Sequence, residues 1–228
     1  MKTLNCASNK RVIPQALKKT CSRVKVQDAV IVSVVPAVTK TIEKSLRKII
    51  GKRPYIIGKN IKIPIRNLYR SPASLGQDRL VNAFAASQIY GSPAIIIDLG
   101  TAITLDVVSG DKKYLGGMIL PGPELSLKAL NRDTALLPKL KLEAPAELIG
   151  RNTKNSILSG VVIGSACLCD ELVRRLKARI GKNALVIATG GNAKIISKYS
   201  KEIAIIDPTL TLRGLNIIYK KTLRKTLS

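Results

Sequence analysis

Residues 95–107 read Ile95-Ile96-Ile97-Asp98-Leu99-Gly100-Thr101-Ala102-Ile103-Thr104-Leu105-Asp106-Val107. Three consecutive β-branched residues predict a buried strand, since branching at Cβ suits the pleated backbone. After Thr101 the apolar side chains Ile103, Leu105 and Val107 recur at every second position. That is the period of a strand with one face buried. Two strands joined by Asp98 to Thr101 read as a β-hairpin with a tight turn. Tyr114 to Ile119 can add a third strand.

Outward from the hairpin, strands alternate with helices. On the N-terminal side, Ala29 to Val35 is an apolar, β-branched run that predicts a strand. Pro36 then opens a helix, where its missing N–H costs nothing. Val38, Ile42, Leu46 and Ile49 form the apolar face of that helix, and Gly51 ends it. A short helix is expected at 12–23 and a strand at Tyr55 to Ile57. Asp78 opens a helix to Tyr90 with Leu80, Val81, Phe84 and Ala85 inward, and Gly91-Ser92-Pro93 stops it. Beyond the hairpin, helices are expected at 123–137, 155–180 and from 209, with strands at 184–188 and 203–206. The fold class is α/β.

Composition removes whole classes of chemistry. The chain has 228 residues and no histidine, so Ser-His-Asp triads, Cys-His pairs and His-containing zinc sites are excluded. Acid–base work falls to Asp, Glu, Lys, Tyr or Cys. Cys6, Cys21, Cys167 and Cys169 make no C-x-x-C pair and read as free thiols of a reducing compartment. The longest uncharged stretch, Leu80 to Ile97, is broken by Asn82, Gln88 and Gly91-Ser92-Pro93. No membrane span and a cytoplasmic location are therefore expected. With 39 Lys and Arg against 14 Asp and Glu, the formal charge is +25. Such a field attracts polyanions. Aromatic residues are only 3% of the chain, which leaves few platforms for base stacking, so nucleic acid is not the expected partner.

Four motifs could carry chemistry. Asp98-Leu99-Gly100-Thr101 offers a carboxylate, a close-approach glycine and a hydroxyl at a strand end. It reads either as a cradle for polyphosphate or a cation, or as a plain turn. Thr189-Gly190-Gly191-Asn192 follows a strand and can present backbone N–H groups to a nucleotide. Gly116-Gly117, followed by Pro121-Gly122-Pro123, reads as a stiff bend before a helix. In Gly76-Gln77-Asp78-Arg79, Asp78 is either a helix cap or a general base for a hydroxyl attacking phosphorus, and Arg79 suits a carboxylate. Neither a Walker loop nor a G-x-G-x-x-G loop is present.

Taken in order, these residues resemble type III pantothenate kinase. The likeness runs through Ser33-Val34-Val35-Pro36, Tyr69-x-x-Pro72, Gly76-x-Asp78-Arg79 and Asp98-x-Gly100-Thr101. It continues through Gly116-Gly117-x-Ile119-x-Pro121-Gly122, Ile149-Gly150-x-Asn152-Thr153 and Thr189-Gly190-Gly191. The resemblance implies the actin-like fold of the acetate and sugar kinase, heat-shock chaperone and actin superfamily. That fold has two related α/β halves, expected here at 1–90 and 91–228. It implies ATP-dependent phosphorylation of pantothenate, the first step of coenzyme A synthesis, with a divalent cation, expected to be magnesium. Asp78 would be the proton acceptor. Tyr69, Gly76, Gln77, Asp78, Arg79 and Thr153 would contact pantothenate. Thr101, Gly190 and Gly191 would approach ATP, and Asp98 would hold a monovalent cation, potassium or ammonium. Family members look like homodimers.

The chain departs from the family pattern at its start. Residues 1–9 contain no Asp-x-Gly-Asn phosphate-binding turn, so the first half is expected to be N-terminally truncated. Three readings follow: a kinase whose recorded start is too late, an impaired homologue with a binding or regulatory role, or a basic nucleic-acid-binding protein that shares the fold. The intact set Asp78, Arg79, Asp98, Thr101 and Thr153 favours the first.

Overall fold

The computed structural model describes residues 12–22 and 26–226. Residues 1–9, the place of the family's phosphate-binding turn, lie outside the described residues, Cys6 among them. In chain order the elements begin with α1 (Val12–Cys21), β1 (Val30–Ile31), α2 (Pro36–Ile50), β2 (Tyr55–Ile56), β3 (Arg66–Asn67) and α3 (Gln77–Ile89). The hairpin strands β4 (Ala94–Leu99) and β5 (Ala102–Val108) follow, then β6 (Lys113–Pro121), α4 (Pro123–Arg132) and α5 (Thr153–Ile180). The chain ends with β7 (Leu185–Thr189), α6 (Ala193–Ile196), β8 (Ile205–Ile206) and α7 (Leu210–Thr226). The described residues fall into two compact units, one of those up to residue 65 with 73–85 and those from 211 onward, the other of 66–72 and 86–210. The sequence suggests a division at residue 90. In the structure the chain crosses within α3 and returns to the first unit in α7.

In the first unit, β1 and β2 run parallel, with Val30 opposite Tyr55 and Ile31 opposite Ile56. The strand expected over residues 29–35 stops at Ile31. Its continuation turns where the Ser33 hydroxyl accepts a hydrogen bond from the Val35 N–H at 3.2 Å, and Pro36 then starts α2. Gly51 closes α2 in the left-handed region at φ 74°, a conformation that glycine adopts without steric cost. Leu46 is buried against Ile31 and Ile56, with Ile42 beside it, while Ile49, the last of the predicted face, is exposed. Burial of one such leucine is worth about 1.5–3 kcal/mol. On α3, Leu80, Val81, Phe84 and Ala85 are all buried, as the helical spacing predicts. Val81 and Phe84 join Ile57, Ile61, Leu215 and Ile218 in one cluster.

The second unit is a six-stranded mixed sheet in the order β3-β6-β5-β4-β7-β8. The predicted hairpin is present, with β4 and β5 antiparallel and Ile97 opposite Leu105. On the other side β4 pairs with β7 in parallel. Ile95, Ile97, Leu99, Ile103 and Leu105 pack on Val162, Ala166, Cys169 and Val173 of α5. Helix α5 has 28 residues and an 18-residue window of mean hydropathy 1.6, long and apolar enough to cross a membrane. Half of that window is buried inside the protein, so its apolarity serves the core.

Two local expectations are corrected. Helix α4 ends at Arg132 rather than 137. Pro138 disfavours a helical Leu137, and the Asn131 side chain donates to the Leu137 carbonyl at 2.9 Å instead. Gly116 and Gly117 do not bend the chain; they continue β6 opposite Val107 and Asp106, next to a register break between Val107 and Val108. The turn into α4 falls at Gly122.

Candidate functional site

The motif residues form groups that can be described within each unit. In the second, Asp98 is the penultimate residue of β4. It lies opposite Thr104 of β5 and Thr189 of β7, so the sheet itself fixes its position. The 190–192 loop docks onto the hairpin turn. The Asn192 N–H donates to the Leu99 carbonyl at 2.9 Å, and its side-chain amide approaches the Gly100 carbonyl at 3.5 Å. Gly190 has φ +93°; a Cβ there would stand 2.5 Å from Asp98 Oδ1 and 2.7 Å from the Leu99 backbone. Only glycine permits this approach. A Cβ on Gly191 would meet nothing within 4 Å, so that side of the loop is open. Thr101 is exposed beside them, its carbonyl held by the Gly122 N–H at 3.1 Å. Asp98, Thr101, Gly190 and Gly191, far apart in sequence, thus belong to one carboxylate-and-glycine cradle. Such a surface suits phosphate oxygens and a cation together. Among the described residues, no three His, Cys, Asp or Glu side chains group to hold a metal by themselves.

In the first unit, Gly76-Gln77-Asp78-Arg79 forms the entry to α3. Leu75 is buried and anchors the segment, and the Gln77 side chain donates to the Leu75 carbonyl at 3.3 Å. Asp78 is the second residue of α3, where a negative charge is favoured by the helix dipole. Its Oδ1 accepts from the Arg79 N–H at 2.9 Å. That carboxylate folds back over Gly76, where a Cβ would stand only 2.6 Å from Oδ1. The glycine in the Gly-x-Asp spacing therefore leaves room for the carboxylate to take this direction. Val34 of the Ser-Val-Val-Pro motif borders the same spot, 3.5 Å from that Cβ position. Arg79 is buried.

Tyr69, in the second unit, lies just after β3. Its N–H donates to the Asn67 side chain at 2.9 Å, and its ring lies 6.4 Å from the Tyr114 ring, tilted by 42°. Thr153 opens α5. The Asn152 side chain caps that helix by accepting from the Asn155 N–H at 2.9 Å, and Gly150, Asn152, Thr153 and Ser156 line a cavity of about 610 Å³. The thiols take no visible part. Cys21, Cys167 and Cys169 are free, and burial, with the Asp170 charge beside it, pushes the Cys169 thiol up to about 11. Sequence reasoning missed Thr104, Asp106 and Tyr114. Their signal was slight, two polar residues inside an otherwise apolar alternation.

A sequence model of type III pantothenate kinase matches residues 5–175. Among curated proteins, the type III pantothenate kinase of Finegoldia magna is 44% identical over 196 residues, 85% of this chain and 75% of the relative. That of Persephonella marina is 43% identical over 194 residues, 85% of this chain and 76% of the relative. Among solved structures, a Baf family protein from Campylobacter jejuni superposes with a TM-score of 0.55 at 20% identity, covering 90% of this chain and 88% of that one. The ethanolamine utilization protein EutJ from Carboxydothermus hydrogenoformans gives 0.53 at 14% identity, covering 92% and 75%. At such identities the structural likeness concerns the fold alone, a mixed α/β fold with a sheet.

Proposed function

We infer individual residue roles from one premise: the chain belongs to the type III pantothenate kinase family, and its reaction is the ATP-dependent phosphorylation of pantothenate that opens coenzyme A synthesis. The observation that carries the assignment of the base is the carboxylate of Asp78, held over Gly76 at the start of α3. Asp78 accepts the proton of pantothenate's primary hydroxyl as the oxygen bonds to the γ-phosphorus of ATP. The bond to ADP breaks, and ADP leaves with its electron pair. With no histidine in the chain, a carboxylate is the natural acceptor.

Phosphoryl transfer asks for positioning and charge neutralisation more than covalent help. Arg79 pairs with the pantothenate carboxylate, and Tyr69, Gly76, Gln77 and Thr153 complete the contacts with that substrate. Thr101, Gly190 and Gly191 meet the ATP phosphates; the open side of Gly191 supports this reading. A divalent cation accompanies ATP and, when bound, offsets the phosphate charge. Asp98 holds a monovalent cation, potassium or ammonium, and the active form is a homodimer.

The test is Asp78→Asn. Turnover is expected to fall by about 10²–10⁴, with pantothenate affinity by calorimetry unchanged. Undiminished turnover removes Asp78 from the role of base. Asp98→Asn is expected to abolish the dependence of the rate on potassium; a potassium response that persists unchanged removes Asp98 from the cation site.

A further inference from the structure

Asp106 is a fully buried carboxylate in the middle of β5. An isolated charge there is costly, and an apolar residue would continue the strand without that cost. Among the described residues the other buried carboxylates, Asp170 and Asp207, accept from backbone N–H groups as well as from hydroxyls. Asp170 accepts from the Lys201 N–H at 2.7 Å and the Glu202 N–H at 3.2 Å. Asp207 accepts from the Thr209 N–H at 2.9 Å and hydroxyl at 2.8 Å, and from the Tyr90 hydroxyl at 3.0 Å. Two hydrogen bonds of Asp106 run across one face of the sheet. Thr104 Oγ1 donates to its Oδ2 at 3.1 Å, and the Tyr114 hydroxyl donates to its Oδ1 at 2.7 Å.

Each end of this row meets a residue of the proposed site. Thr104 is the direct cross-strand partner of Asp98, and directly opposed side chains lie on the same face of the sheet. Tyr114, also fully buried, packs against Tyr69. Its carbonyl accepts from the Leu68 N–H at 2.9 Å, so backbone and ring both fasten the segment that carries Tyr69. Gly116, at φ +122°, leaves room on the same side: a Cβ there would contact the Tyr69 ring at 3.6 Å.

We propose that Asp106 is a positioning residue for pantothenate binding: it fixes the rotation of Tyr114, and Tyr114 in turn fixes the ring of Tyr69. The inference rests on the reading that Tyr69 contacts pantothenate. A hydrogen-bonded network of buried groups holds one arrangement where an apolar contact would allow several, and a substrate contact held in advance binds without an ordering cost.

Steady-state kinetics of the full chain test this, with pantothenate varied at saturating ATP and ATP varied at saturating pantothenate. Tyr114→Phe keeps the ring and removes only the hydroxyl. It is expected to raise KM for pantothenate about tenfold while kcat stays within about twofold, with KM for ATP unchanged. Asp106→Asn is expected to act in the same direction, so a folding defect in one variant leaves the other to be read. Thermal melts establish that each is folded at the assay temperature. The double variant Tyr69→Ala/Tyr114→Phe is expected to be no worse than Tyr69→Ala alone, since residues acting as a unit are not additive. If Tyr69→Ala raises KM for pantothenate and the folded Tyr114→Phe and Asp106→Asn variants do not, the positioning role is overturned and the Tyr69 contact stands. If Tyr69→Ala leaves that KM unchanged, the contact itself falls, and the positioning role with it.

Discussion

Asp98 and Gly190 illustrate how a single position can be fixed by its neighbour rather than by its own chemistry. Gly190 combines φ +93° with a Cβ position 2.7 Å from the Leu99 backbone, and backbone cannot yield as a long side chain can. Gly190→Ala is therefore expected to destabilise the protein by about 1–3 kcal/mol, read as a lower denaturant midpoint with unchanged slope. Gly191→Ala, where a Cβ meets open space, is expected to stay within about 0.5 kcal/mol of the parent. It should instead raise KM for ATP. Equal stability losses in the two variants would contradict the geometry of the cradle. At this scale the sequence identified Asp98, Thr101 and the glycine pair as candidates, since each is an unusual residue at a strand end. It did not identify Asp106 or Tyr114, because a polar residue in an alternating strand looks solvent-facing until the face it lies on is known.

The elements were legible where a backbone rule acts locally. Pro36 and Gly51 bracket α2 where they were expected to, and the apolar face of α3 is buried as its spacing requires. The strand over residues 29–35 was not legible in length, because a two-residue pairing partner and the Ser33 turn end it. Nor does any local pattern show what holds α7. In the first unit the Tyr219 hydroxyl of α7 donates to Asp28 at 2.6 Å. Lys52 lies 2.7 Å from the other oxygen of that carboxylate, and the Tyr55 ring meets Tyr219 edge-on at 5.5 Å. The hydrogen bond to Asp28, then burial, raises the Tyr219 hydroxyl to about 12. The bonds from Lys52 and then Tyr219 lower Asp28 below the ordinary carboxylate value.

The signs of the two shifts differ in consequence. The tyrosine's contribution is intact below its ordinary value, about 10, and is lost as pH climbs through about 12. The aspartate's is intact above the ordinary carboxylate range and is lost as pH falls below it. Tyr219→Phe is expected to cost about 1 kcal/mol near neutral pH. Above pH of about 10 the parent's melting temperature should approach that of the variant. Parallel melting curves across that alkaline range would remove Tyr219 from the clasp.

Over the whole molecule the dominant physical fact is charge. A formal +25 on 228 residues repels itself, and compactness raises that repulsion. The described ion pairs are mostly at the surface, such as Arg132 with Asp133 and Lys154 with Glu143, where a pair is worth little. Screening should therefore stabilise this chain. Between roughly 0.01 and 0.15 M sodium chloride, where the Debye length falls from about 30 to 8 Å, the melting temperature is expected to rise by several degrees. A flat or falling response would mean that local ion pairs outweigh the net field.

The sequence by itself determined the α/β class, the hairpin around Asp98, the helix carrying Asp78 and the family to which the chain belongs. Each of these is written in residues close together along the chain, through dihedral preference, apolar period or a short motif. Tertiary structure alone decided which distant segments meet. Asn192 reaches Gly100 across 92 positions, β4 chose β7 as its parallel neighbour, and Tyr69 came to rest on Tyr114. Those pairings are selected by the area buried and the backbone bonds completed by the whole sheet, quantities that no short window of sequence contains.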